Sequence, residues 1–332
     1  MEICRICRNE YSKITESHTL THGGMTLQEY RLWLPHNELN FYLIGQPVHW
    51  NYTAGQIIQG FQNNKKNILC MYNSNFARYV PRAEVLISLI PYAKALILVD
   101  ESGRDGEQYY PYTDPFKNKI AYVDASLSFN PLIDIKTFPL FFKVENDRTF
   151  DIYSLPYCME RRYVANYAIK DVSVSCIFGP TNSLRAQVLN HIQDMKISDY
   201  FCGELYDVLK TDWNQTTGAR SNFLYYRMLG RSKMSISIDG GGNIARFFEI
   251  LANRCLLISP KWKADILYPF IDGETYLEFS NIKEMDEKIR FYLGHPDTLN
   301  AVAIQGYNFA SVYHTCESRA TYMIDIIEKN FI

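Results

Sequence analysis

The sequence predicts an α/β protein in which two parallel-sheet domains follow a small metal-binding module. Short apolar runs alternate with helical segments in both halves of the chain, and these runs are apolar on both faces, as in sheets covered by helices. Cysteine and histidine residues at metal-ligand spacing predict the module. The predicted ranges are 1–36 for the module, 37–165 for the first domain, 166–312 for the second, and 313–332 for a last helix able to cross back to the first domain.

Composition narrows the class of protein further. The chain has 332 residues, 47% of them hydrophobic, which is enough to build two cores. It opens on charged residues and has no long uncharged apolar run, so we expect no membrane span and a cytoplasmic location. The formal net charge of −2 argues against a broadly basic surface, so contact with nucleic acid would need a local patch. Apart from one CxxC pair the cysteines stand singly, which predicts reduced thiols.

The first residues carry four candidate metal ligands. Cys4, Cys7, His18 and His22 have the spacing of one tetrahedral Zn²⁺ site, and the two histidines, four positions apart, would face the same way from a helix. About 35 residues bury too little core to fold alone, so the ion would supply the missing stability. The capping-box pattern at 26–29 predicts the start of a second helix.

The first domain is predicted from four apolar strands and the helices between them. The strands are expected at 41–45, 67–72, 95–99 and 119–123. One helix is expected to end near 63, and another to span about 82–91. Ligands bind beyond the carboxyl ends of parallel strands, where His49, Asp100 and Asp124 lie. We take His49 and Asp100 as candidate catalytic residues, because a neutral imidazole or a carboxylate is able to accept a proton from a hydroxyl group. A loop-stabilising histidine and helix N-caps remain the alternatives.

The second domain carries two glycine-bearing turns between a strand and a helix. The turn at Gly179 follows the strand at 172–178, and a triple-glycine turn follows the strand at 234–238. Glycines let a diphosphate approach the backbone, and a helix N-terminus offers free N–H groups and positive potential. Arg246 adds a fixed charge, and Glu249 is able to accept two ribose hydroxyls. The candidate nucleotide-sugar-binding residues are Gly179, Arg185, Lys233, Gly240, Gly241, Gly242, Asn243, Arg246 and Glu249. An ordinary glycine-rich turn stays the alternative, and no GxGxxG follows any strand.

Further elements are predicted after the triple-glycine turn. They are a helix at 243–253, a strand at 255–258, a helix at 281–293, and a last helix after His314-Thr315, to about 328.

Two stretches resemble known families. The run from His22 to Arg31, HGGMTLQEYR, resembles the zinc-finger segment of Ros/MucR-type bacterial regulators, which implies Zn²⁺ and double-stranded DNA as a partner. The gap between Cys7 and His18 is two residues shorter than the usual twelve of two-Cys, two-His fingers.

Residues 140–327 resemble the CgeB-like glycosyltransferases (glycosyl transferase group 1). The motifs that carry this resemblance are FFKVE at 141–145, LPYCME at 155–160, RFFEILA at 246–252, FIDGE at 270–274, KIRFYLGHP at 288–296, IQG at 304–306 and HTCESR at 314–319. The resemblance implies the GT-B arrangement, with two Rossmann-like domains and the nucleotide-sugar donor in the second. By position, Glu249 then matches the carboxylate that binds the ribose in this family. Arg246 and the turn at 240–243 match the family's diphosphate site.

The resemblance implies a glycosyltransferase that moves a sugar from a nucleotide-diphosphate sugar, such as a UDP-sugar, to an acceptor hydroxyl. Gly241 stands where retaining relatives often carry an acidic residue, so the stereochemical outcome is left open. Because a regulator-type module is fused to the transferase, we expect the acceptor to be a hydroxymethylated pyrimidine in phage DNA. One alternative is transfer to a cell-surface polysaccharide or protein, with a purely structural zinc ion. Another is a non-catalytic DNA-binding protein on a transferase scaffold.

Overall fold

The computed structural model describes residues 1–33, 41–45, 52–70, 83–100, 113–126, 128–160, 163–164, 169–203, 219–238 and 245–331. Within them the strands are β1 Glu2–Ile3, β2 Glu10–Tyr11, β3 Phe41–Gly45, β4 Asn67–Cys70, β5 Ala95–Asp100, β6 Ile120–Asp124, β7 Leu140–Lys143, β8 Tyr153–Ser154, β9 Val172–Cys176, β10 Tyr200–Cys202, β11 Ser232–Ile236, β12 Leu256–Pro260 and β13 Leu277–Phe279. The α-helices are α1 Glu16–Thr19, α2 Leu27–Trp33, α3 Tyr52–Asn63, α4 Ala83–Leu89, α5 Ser183–Asp194, α6 Ala219–Arg231, α7 Ala245–Ala252, α8 Ile282–Gly294, α9 Pro296–Tyr313 and α10 Cys316–Phe331.

The chain forms two compact units, residues 1–156 with 316–332, and residues 157–315. Each unit is built on a parallel sheet, which confirms the predicted α/β class. Among the described helices, none is long and apolar enough to cross a bilayer.

The sheet of the first unit has six parallel strands in the order β4-β3-β5-β6-β7-β8. β3, β5, β6 and β7 are buried at every position, because helices cover both faces of such a sheet. The strand order changes direction between β3 and β5, and the loops that follow these two strands therefore flank a topological switch point. The strand β7 was not predicted.

The last helix, α10, packs on α3 in the first unit. A Cβ placed on Gly60 would lie 2.1 Å from the carbonyl oxygen of Cys316, so only glycine allows this approach. Near the other end of α10, the Glu328 carboxylate accepts a hydrogen bond from Tyr42 and pairs with Lys94 at 2.6 Å. The first unit therefore takes residues from both ends of the sequence.

The sheet of the second unit has five parallel strands in the order β10-β9-β11-β12-β13. Its switch point lies between β9 and β11, so the loops after these strands flank the position at which open α/β sheets bind ligands. Asn182 caps α5 by accepting a hydrogen bond from the backbone N–H of Arg185 at 2.9 Å. The predicted helix start at Asn281 is confirmed, because its side chain accepts from the Glu284 N–H at 2.9 Å.

The module at the start of the chain is a β1–β2 hairpin followed by two helices. The predicted capping box at the start of α2 is confirmed: Thr26 accepts from the Glu29 N–H at 3.1 Å, and the Glu29 carboxylate accepts from the Thr26 N–H at 2.8 Å. The apolar side chains of the module and those of the parallel sheet belong to one hydrophobic core. Its members include Ile6, Ile14, Met25 and Tyr30 from the module and Phe41, Leu43, Leu96, Leu98 and Tyr122 from the sheet.

Candidate active site and metal centre

Arg185 ties together the two loops at the switch point of the second unit. Its Nε and Nη2 atoms donate to the carbonyl oxygen of Ile238 at 3.0 and 2.7 Å, and its Nη1 donates to Thr181 Oγ1 at 2.7 Å. Ile238 follows β11, whereas Thr181 follows β9. The structure therefore gives Arg185 a role in holding the loops together. Gly179 is buried in the first of these loops, and the predicted Gly240, Gly241, Gly242 and Asn243 lie outside the described residues.

Arg246 presents unpaired hydrogen-bond donors near the same loops. Its Nε and Nη1 atoms are buried and have no hydrogen-bond partner in the described part of the chain. Its guanidinium lies 5.9 Å from the centre of the Phe178 ring, and that of Arg185 lies 5.6 Å from the same centre. A buried donor without an acceptor costs about 1–3 kcal/mol. The arrangement suits a ligand that brings anionic oxygens to this guanidinium.

Glu249 lies one helical turn after Arg246 in α7, and two tyrosines of α6 hold its carboxylate. Tyr225 Oη donates to Oε2 at 2.8 Å, and Tyr226 Oη donates to Oε1 at 3.2 Å. Burial raises the pKa of Glu249, while the two phenols and Arg246 act in the opposite direction. The sequence reasoning did not assign Tyr225 and Tyr226 to the site. Their spacing from Glu249, 24 and 23 positions, carries no recognisable pattern.

Lys233 is not brought to the switch point. It is the second residue of β11, near the amino end of the strand, and the loops discussed above follow the carboxyl ends. Three residues of strand span about 10 Å, so its position on the strand lies well back from that edge. The structure thus brings Gly179, Arg185, Arg246 and Glu249 to one part of the second unit and leaves Lys233 apart.

In the first unit, buried charged groups occupy the carboxyl ends of neighbouring strands. Asp100, at the end of β5, is fully buried and accepts a hydrogen bond from Tyr122 Oη at 2.8 Å. Asp124, at the end of β6, accepts from the backbone N–H of Leu132 at 2.8 Å and pairs with Lys143 of β7 at 3.0 Å. Burial lowers the pKa of Lys143, and Asp124 raises it. Asp100 is therefore enclosed, whereas His49 lies outside the described residues.

The four predicted metal ligands lie together in the module. All four ligand atoms lie within 4.8 Å of one another, with 3.5 Å between Cys4 Sγ and His22 Nε2 and 3.3 Å between the two histidine Nε2 atoms. Tetrahedral Zn²⁺, with Zn–N near 2.0–2.1 Å and Zn–S near 2.3 Å, places its ligand atoms about 3.3–3.8 Å apart. Cys7 Sγ and His18 Nε2, at 3.8 Å, fit as well. The residues present fit this ion.

One detail of the prediction was wrong, because the two histidines do not share a helix. α1 ends at Thr19, and His22 follows in a turn that Gly23 and Gly24 close, with φ values of 67° and 76°. These left-handed conformations favour glycine and shape the turn between α1 and α2. Burial, and then His18, lowers the pKa of His22 to about 4, so the imidazole is neutral, as metal binding requires.

Comparison with known proteins assigns one segment of the chain to an enzyme class. Residues 185–325 match a family model described as glycosyl transferase-like. This segment is a glycosyltransferase domain. It contains Arg185, Arg246 and Glu249 together with the tyrosines that contact Glu249. No curated protein sequence matches the chain.

The fold of the chain around the glycosyltransferase domain is that of known two-domain GT-B structures. HepE of Anabaena in complex with UDP-glucose has a TM-score of 0.57 and 6% identity, over 87% of this chain and 99% of HepE. A Rickettsia africae glycosyltransferase has a TM-score of 0.54 and 10% identity, over 88% and 98%. Sucrose-phosphate synthase of Thermosynechococcus elongatus has a TM-score of 0.54 and 10% identity, over 88% and 99%. At such identities the similarity establishes the fold alone.

Proposed function

We propose that the protein transfers a sugar from a nucleoside diphosphate sugar, such as a UDP-sugar, to a hydroxyl group of an acceptor. The observation that carries the proposal is Arg246, whose buried Nε and Nη1 atoms have no acceptor among the described residues, near the switch point of a glycosyltransferase domain. A diphosphate would supply those acceptors. The solved structure of HepE with UDP-glucose supports the choice of donor class.

Each residue of the site then has a part in the reaction. The bond between the anomeric carbon and the diphosphate oxygen breaks, and the acceptor oxygen forms the new bond as its proton passes to a base. Arg246 and the backbone amides of 240–243 would stabilise the negative charge that grows on the leaving diphosphate. Glu249 would accept ribose hydroxyls, and Arg185 would hold the two loops in register. His49 and Asp100 stay proposed bases for the acceptor proton.

Replacing Arg246 by methionine tests the proposal directly. Methionine keeps much of the apolar stem and removes the donors, so we expect UDP affinity to fall about 100-fold, the equivalent of two charge-assisted hydrogen bonds. Isothermal titration with UDP measures the change. Arg290→Met is the matched control, because Arg290 is exposed in α8 and pairs with Asp286 at 2.9 Å. We expect that variant to bind UDP like the wild type.

The proposal fails if the wild-type protein binds none of UDP, GDP and ADP. That outcome would favour the non-catalytic alternative. Transfer itself is measured by mass spectrometry of acceptors incubated with a panel of nucleotide sugars.

We propose that the Cys/His cluster holds one structural Zn²⁺ ion that stabilises the first unit. The support is its place in the fold: Ile6, Met25 and Tyr30 of the module belong to the same core as the strands of the sheet. The His22 ring also contacts Tyr92, in the turn before β5, at 5.8 Å between ring centres. The helix that bears His18 is only four residues long. These contacts favour a structural role for the ion over a free-standing DNA-reading finger.

The DNA acceptor remains a proposal that rests on the resemblance of residues 22–31 to bacterial regulators. Duplex DNA with hydroxymethylcytosine is the test acceptor, and the same duplex with cytosine is the control. If DNA is the acceptor, mass spectrometry shows the added mass of a sugar only on the modified duplex. If neither duplex is changed and the sugar is transferred to a cell-surface polysaccharide or protein, the alternative acceptor is supported.

A further inference from the structure

Two adjacent tyrosines contact the same buried carboxylate. Tyr225 and Tyr226 lie side by side in α6, where neighbouring side chains point about 100° apart. Their hydroxyls nevertheless reach opposite oxygens of Glu249, at 2.8 and 3.2 Å. Each hydroxyl therefore holds one oxygen of the Glu249 carboxylate, and the centres of the two rings are 5.3 Å apart.

Other groups fix the backbone at Glu249 and the ring of Tyr226. Asn253 Nδ2 donates to the carbonyl oxygen of Glu249 at 2.8 Å and to that of Tyr163 at 2.7 Å. The Tyr163 ring lies 5.5 Å from the Tyr226 ring, and its hydroxyl donates to Glu160 at 2.6 Å. Among the described residues, the charged and titratable groups that act on Glu249 are Arg246 on α7, Tyr225 and Tyr226 on α6, and Glu160 and Tyr163 in the segment before β9.

These neighbours act on the charge of Glu249 in opposite directions. Burial and the nearby Glu160 favour the protonated carboxyl, whereas the two phenols and Arg246 favour the carboxylate. A carboxylate has about four lone-pair directions, and the phenols take two of them. Two remain for other donors, which equals the number of hydroxyls on a ribose ring.

We infer that Tyr225 and Tyr226 are positioning residues that keep Glu249 charged and oriented to accept the two ribose hydroxyls of the donor, which makes the site selective for ribonucleotide over 2′-deoxyribonucleotide sugars. The inference rests on the proposed function. A site built to accept a hydroxyl hydrogen discriminates against an analogue that lacks it, because the buried acceptor is then left unpaired.

The test compares the binding of UDP and 2′-deoxy-UDP to wild type, Tyr225→Phe, Tyr226→Phe and the double variant. Phenylalanine keeps the ring packing and removes only the hydroxyl. For the double variant we expect a loss of about tenfold to a hundredfold in UDP affinity at pH 7. We also expect the preference for UDP over the deoxy analogue to fall nearly to one. Tyr200→Phe is the control, since Tyr200 is exposed in β10.

The pH dependence separates positioning from packing. Without the phenols the pKa of Glu249 rises, so the carboxylate forms only at higher pH. As the pH is lowered, the UDP affinity of the double variant should therefore begin to fall at a higher pH than that of the wild type. Glu249→Gln should lack both the pH dependence and the preference for ribose, which gives a second variant if the tyrosine changes disturb folding.

A loss of affinity that is equal at every pH, with the ribose preference intact, would overturn the inference and leave the proposed function standing. Absence of UDP binding by the wild type would instead overturn the proposed function, and the inference with it.

Discussion

Removing the proposed Zn²⁺ ion from the Cys/His cluster is expected to loosen the sheet of the first unit as well as the module itself. A structural Zn²⁺ ion contributes about 10–16 kcal/mol of apparent binding free energy at pH 7, and that energy is folding energy when the site forms only in the folded state. The module here shares its core with β3 and β5 through residues such as Met25 and Tyr30. Loss of the ion therefore removes packing from strands that lie outside the module.

Hydrogen exchange read by mass spectrometry resolves this effect along the chain. After treatment with a chelator, peptides that cover 41–45 and 95–100 should exchange faster, whereas those that cover 256–260 in the second unit should not change. Cys7→Ser should reproduce the pattern, and Cys202→Ser, at another partly buried thiol, should not. Faster exchange confined to residues 1–33 would show that the module is dispensable to the first unit.

Replacing Lys143 by methionine is expected to destabilise the first unit by about 3–5 kcal/mol. The side chain of Lys143 and its partner Asp124 are both fully buried, at 3.0 Å from one another. Removing one partner leaves an uncompensated buried charge, and this penalty exceeds the value of the contact itself. Asp124 also accepts hydrogen bonds from the backbone N–H groups of Ser126 and Leu132. These bonds hold its carboxylate in place, so it does not easily turn toward solvent.

Urea unfolding monitored by circular dichroism measures the change in the free energy of unfolding. Lys66→Met is the matched control, because Lys66 pairs with Glu328 at 3.3 Å while both side chains stay one-third exposed. A partly exposed ion pair of this kind contributes about 1 kcal/mol or less to stability. Equal destabilisation by the two substitutions would show that burial of the Lys143 pair carries no special cost.

The parts of the fold that the sequence predicted are those with strong local patterns. β3 was predicted at 41–45 and lies there, because five apolar residues in a row form a buried strand. The strand predicted at 119–123 is observed as Ile120–Asp124, a shift of one residue. By contrast, β7 was missed because its last residue is Lys143, and a lysine marks a surface position unless its buried partner is known.

In the candidate sites too, local sequence patterns were predicted, whereas contacts between distant segments were not. The four predicted metal ligands lie close together, because their pattern in the sequence is local. The phenols on Glu249 come from a different helix, and only tertiary packing places them there. Arg185 was expected to face a diphosphate, and its guanidinium instead holds the carbonyl oxygen of Ile238, a contact between residues 53 positions apart.

The close approach of Gly60 to Cys316 has a consequence for synthesis on the ribosome. The first unit includes α10, so its packing on α3 cannot form until residues 316–331 have left the exit tunnel. By that time residues 157–315, which make up the whole of the second unit, have already emerged. The complete sequence of the second unit therefore leaves the ribosome before that of the first unit does.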